Sequence, residues 1–146
     1  MIIPHDSVVL VADGAKMLFF RNEGDAEYLQ LVVEDADQQR DDYDRDIKSD
    51  QAGQKPAGGG FGGSTAGEPD YHEQAEERFA KDAADVLNRR ALAGGFERLV
   101  VVAPPKTLGE LRKHYHKETE RRLAGEIAKD LVNQPVDRIE AALVAA

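Results

Sequence analysis

The sequence predicts an α/β domain with a mixed sheet that opens as an antiparallel meander. Three observations carry that expectation. Val8-Val9-Leu10-Val11-Ala12 is rich in β-branched residues and runs into Asp13-Gly14, a dipeptide favoured in two-residue hairpin turns because glycine tolerates positive φ. Leu99-Val100-Val101-Val102-Ala103 is a short, continuous apolar run, the pattern of a strand covered on both faces. Between them, Ala75, Phe79, Ala83, Val86-Leu87 and Ala91 recur at helical spacing.

Taken in order, Val8–Ala12 is the first strand and Lys16–Arg21 its return strand. Asn22-Glu23-Gly24 marks a second turn, and Tyr28–Val33 a third strand. Residues 35–69 are rich in Asp, Gln and Gly, with only Tyr43, Ile47 and Phe61 as large apolar side chains. That composition buries too little surface to offset ordering entropy, so a long flexible loop is expected there.

Asp70 and Glu73 resemble a capping box and predict a helix start, and Gly94-Gly95 predicts its end. Pro104-Pro105 closes the apolar strand, and Thr107 with Glu110 suggests another capping box. The helix that follows has Leu108, Leu111 and Tyr115 on one side. Ala124–Val132 reads as a last strand or as the tail of that helix, with the strand preferred. Pro135 suits the first position of a final helix with Ile139 and Leu143 facing inward. The expected order, β-β-β-α-β-α-β-α, places parallel strands beside the meander, with helices flanking the sheet.

The bulk properties narrow the function classes. The 146 residues fit one domain, 1–146. No apolar stretch approaches the roughly 20 residues of a membrane span. The start, Met1-Ile2-Ile3-Pro4-His5-Asp6, lacks the pattern of a secretory signal, so a cytoplasmic location is expected. With 0 cysteines, disulfides, thiolate metal sites and a cysteine nucleophile are excluded. The net charge of −9 argues against non-specific binding to nucleic acid or anionic membrane. The charge is uneven: residues 1–86 carry −12 and residues 87–146 carry +3.

Several clusters invite a chemical reading. Asp13 ends the first strand, where a metal-dependent nuclease would place a carboxylate, but it precedes Gly14 in a turn, and Ala103-Pro104 offers no partner carboxylate. His72 and Glu76 stand i,i+4, which suits two metal ligands, yet a zincin's second histidine is lacking, and Glu73, Glu76 and Glu77 also suit an ordinary helix start. Gly58–Gly63 does not run into Gly-Lys-Ser/Thr and a helix, so it is not a Walker phosphate loop. Arg112, Lys113, His116 and Lys117 give the second main helix a basic side, extended by Arg121 and Arg122, that suits phosphates or an acidic partner. His114 and His116, two residues apart, do not share a helix face. No cofactor, metal site or coherent catalytic set is expected.

The element order is that of the ribonuclease-H-like fold and of the central domain of archaeal and eukaryotic peptide release factors. The most specific stretches are Leu10–Gly14, Arg21–Asp25, His72-Glu73 to Arg78-Phe79-Ala80, Val102–Arg112, and Lys129-Asp130-Leu131 to Pro135-Val136. With them the chain resembles the bacterial host-attachment family, proteins required for attachment to host cells. The resemblance covers nearly the whole chain and implies an interaction protein without catalytic residues, with an unknown protein partner.

The family is itself similar to the release-factor central domain, which carries Gly-Gly-Gln between its third strand and first helix. Here Ala52-Gly53-Gln54 stands in that connection. Ala52 replaces the first glycine, which argues against peptidyl-transfer chemistry. The similarity implies a second function, a ribosome- or RNA-associated translation factor, with Gly53, Gln54, Arg112, Lys113, His116 and Lys117 as candidate binding residues. A metal-dependent nuclease using Asp13 is a third.

Overall fold

The computed structural model describes the backbone of residues 1–34 and 64–146, and the side chains of all of these except 64–72. Five strands form one mixed sheet in the order β3-β2-β1-β4-β5. β1 (Val8–Ala12), β2 (Met17–Asn22) and β3 (Leu31–Val33) pair antiparallel as the expected meander. β4 (Leu99–Ala103) lies parallel to β1, and β5 (Leu123–Ala128) parallel to β4.

The period-2 alternation of β1 divides the core between the two faces. Val8, Leu10 and Ala12 point to the face covered by α1 (Ser64–Leu92) and α2 (Pro105–Arg112), where Phe79, Leu87, Leu108 and Leu111 are buried. Val9 and Val11 point to the opposite face, against Ile139 and Leu143 of α4 (Val136–Ala145). Both central parallel strands, β1 and β4, are buried along their whole length, which is why their sequences carry no polar alternation.

The turns follow side-chain chemistry more than glycine placement. Gly14 does not adopt positive φ, so the β1–β2 connection is not the type I′ turn that Asp13-Gly14 suggested. Asp13 Oδ1 accepts instead from the amides of Ala15 at 2.8 Å and Lys16 at 2.7 Å, closing a longer loop. β3 begins at Leu31 rather than Tyr28, because the Asp25 carboxylate takes the Glu27 and Tyr28 amides and holds that segment in a turn. Asn22 is fully buried beneath it. Its Nδ2 donates to Ile3 O at 2.9 Å, and its Oδ1 accepts from the Gly24 and Gln30 amides.

The helices correct four further expectations. α1 begins at Ser64, so residues 64–69 are helical and Asp70 is not its cap. The i,i+3 spacing of a capping box is also that of neighbours inside a helix, so the pattern did not locate the start. Residues 35–63 of the expected loop lie outside the described residues. At its other end α1 stops as expected. Gly94 takes φ +73, its amide donates to Ala91 O, and the Gly95 amide donates to Arg90 O, the two bonds of a Schellman motif.

Thr107 and Glu110 do not cap α2. Pro104, held extended by the following proline, is the N-cap, and Pro105 presets the first helical φ. The single helix expected after Thr107 is two: α2, and α3 (Lys117–Arg122), with a corner at Lys113–His116. Asn88 of α1 makes that corner. Its Nδ2 donates to His114 O, and its Oδ1 accepts from the His116 amide and, at 2.6 Å, from Thr119 Oγ1. Pro135 is the N-cap of α4, one position ahead of the place expected for it, and its carbonyl accepts from Arg138 and Ile139.

Candidate functional site

The predicted basic face falls on the α2–α3 corner, and the corner divides it. Arg112 ends α2, Lys113 is its C-cap, His116 is the N-cap of α3, and Lys117 opens α3. They therefore do not form one stripe along one helix.

Most of the charge is also balanced locally. The Arg112 guanidinium meets Glu126 of β5, with Nη2 to Oε1 at 2.8 Å and Nε to Oε1 at 3.0 Å. Lys113 Nζ donates to Glu110 at 2.9 Å. Hydrogen bonding to Glu126 raises the pKa of Arg112, and Glu110 raises that of Lys113, so each stays charged but partnered. Arg121 and Arg122 both reach Glu118. His116 Nδ1 accepts from the Glu118 amide at 3.0 Å and so caps α3. Lys117 has no ion-pair partner among the described residues. Residues 110–126 hold five cations and four carboxylates, a nearly neutral surface. Gly53 and Gln54 lie outside the described residues.

The carboxyl ends of the parallel strands, where open α/β sheets place ligands, carry Asp13, Glu73, Glu76 and Lys106. Lys106 Nζ bonds Glu73 at 3.1 Å and approaches Glu76 at 3.9 Å. Gly14 packs under Glu76, leaving 2.9 Å between a Cβ added there and Glu76 Cγ. Asp13 Oδ1 holds its loop, the turn role weighed against a metal ligand in the sequence. Among the described residues no group of three or more His, Asp or Glu side chains is placed to hold a metal ion. The His72 side chain lies outside those described.

Sequence reasoning missed a third constellation. Glu34, at the end of β3, receives Arg21 of β2 and Arg90 of α1. Arg21 Nε bonds Glu34 Oε2, Arg21 Nη2 reaches Oε1 at 3.1 Å, and Arg90 Nη1 reaches Oε1 at 2.9 Å. Arg21 also donates to the carbonyls of Asp6 and Gly95, and the Arg90 guanidinium lies 4.3 Å from the Phe19 ring centre. The hydrogen bonds from Arg21, and then the charge of Arg21 and contacts from Arg90, hold the Glu34 carboxyl below the usual carboxylate range against the opposing effect of burial.

Comparison with known families adds what these contacts alone do not. The model of bacterial archaeo-eukaryotic release factor family 12 matches residues 6–143. The chain belongs to that family. A search of curated proteins finds no match. The family-12 match spans every described strand and all but the end of the last helix, so the meander, the crossovers and the residue 34–64 connection all belong to the matched region. No described helix of this family-12 chain is long and apolar enough to cross a membrane.

Proposed function

We propose that this family-12 chain is a non-enzymatic, ribosome-associated factor of the cytoplasm. The observation that carries the proposal is the family match over residues 6–143. The mixed sheet, an antiparallel meander joined to two parallel strands, is compatible with the fold that the resemblance to release factors implies. Ala52-Gly53-Gln54 supports the non-enzymatic clause, because the first glycine of Gly-Gly-Gln is replaced. The test is co-sedimentation of the tagged chain with ribosomes in lysate at low and high salt. A chain that stays in the soluble fraction at both salts contradicts the proposal.

A second reading, a protein partner connected with bacterial attachment to host cells, is favoured by charge. The chain carries −9, and Arg112 and Lys113 are paired with Glu126 and Glu110, which weakens their attraction for phosphates. Under this reading the protein is found away from ribosomes, and loss of the gene lowers attachment. Loss without an attachment defect contradicts it.

A further inference from the structure

At the amino ends of β1 and β4, opposite the end that carries Asp13 and Lys106, the surface opens into a cavity of about 510 Å³. That is within the usual range for a small-molecule site. Its wall includes Ser7, Arg21, Phe96, Arg98 and the two glycines that end α1.

Its donors are not all used. Arg21 spends four of its five N–H groups, on Glu34 twice, Asp6 O and Gly95 O, which leaves one on Nη1. The Ser7 hydroxyl is buried, and its Oγ has no hydrogen-bond partner. Arg98 has no ion-pair partner among the described residues. At the rim, His5 Nδ1 bonds Gly24 O at 2.7 Å and its Nε2 lies 3.4 Å from Asp6. That arrangement favours the imidazolium and occupies the Asp6 carboxylate.

The lining thus offers two guanidinium groups and an imidazole, against a paired Asp6 and a lone rim carboxylate, Glu97. Room is left where it is needed: a Cβ added at Gly94 meets nothing within 4 Å. We propose that this cavity binds a phosphate monoester of about mononucleotide size, with Arg98 and the unspent N–H of Arg21 on the phosphate oxygens. Arginine pairs with phosphate oxygens through charge-assisted bonds, stronger than neutral ones. The site is independent of ribosome association, so the two proposals fail separately.

The test is amide chemical-shift perturbation of the full chain by AMP, adenosine and inorganic phosphate. AMP is expected to shift the Ser7, Gly94, Gly95 and Arg98 amides saturably, and adenosine is not. Arg98→Ala, at an exposed position, weakens AMP binding about tenfold, with the remaining spectrum unchanged. Inorganic phosphate shifting the same amides as tightly as AMP upholds the phosphate site and names free phosphate as its source. No saturable shift at these amides with AMP or phosphate overturns the proposal, as does an affinity unaltered by Arg98→Ala.

Discussion

Replacing Glu34 by glutamine keeps the shape of the side chain and removes its charge. Arg21 and Arg90 then face each other without the carboxylate that both contact. Removing one partner of a fully buried ion pair costs about 3–5 kcal/mol, and an exposed pair is worth about 0–1 kcal/mol. The Glu34 side chain is 24% exposed, Arg21 22% and Arg90 16%, so the network lies between these limits. Discounted for solvent, the expected loss is about 2 kcal/mol at neutral pH. With a urea slope of about 2 kcal/mol per molar, the unfolding midpoint falls by roughly 1 M.

The pH dependence supplies the sign. The folded-state pKa of Glu34 lies below its ordinary value of 4.5, so its contribution is present above that value and is lost as pH falls through the folded pKa. The gap between native and Glu34→Gln chains is therefore constant from about pH 8 to pH 5 and closes in more acidic solution. Urea titrations of both chains at several pH values measure it. An unchanged midpoint at neutral pH, or a gap that widens on acidification, refutes the reasoning.

Three further outcomes follow from other contacts. Asn22→Ala strands Ile3 O and the Gly24 and Gln30 amides beneath the turn and costs about 3 kcal/mol, read from the urea midpoint. Gly24→Ala places a Cβ 2.1 Å from Tyr28 O, an overlap with backbone that must distort the turn, and lowers stability by at least about 2 kcal/mol in the same assay. Gly94→Ala meets no steric obstacle, so only its φ of +73 opposes it, at about 1 kcal/mol.

The strands buried on both faces were the most legible part of the sequence. Leu99–Ala103 is read residue for residue, because complete burial leaves an unbroken apolar run. Ile139 and Leu143, the anchors of α4, were legible for the same kind of reason: their spacing fixes a helix face. The start of α1 was not, because the Asp70–Glu73 spacing is shared by caps and helix interiors. The break between α2 and α3 was not legible either, since it depends on Asn88, far away in sequence, taking the His114 carbonyl and the His116 amide.

The local pairing of the basic face was hidden for the same reason. Charges at 112 and 113 were visible, but the approach of Glu126 from the neighbouring strand β5 becomes apparent only once that strand is placed. The Arg21–Glu34–Arg90 network joins three elements and has no local signature.

The most direct test of ribosome association is pelleting of the purified chain with purified ribosomes through a sucrose cushion at low and high salt. The account predicts co-sedimentation of the native chain, weakened at high salt. A chain that stays in the supernatant at both salts contradicts it.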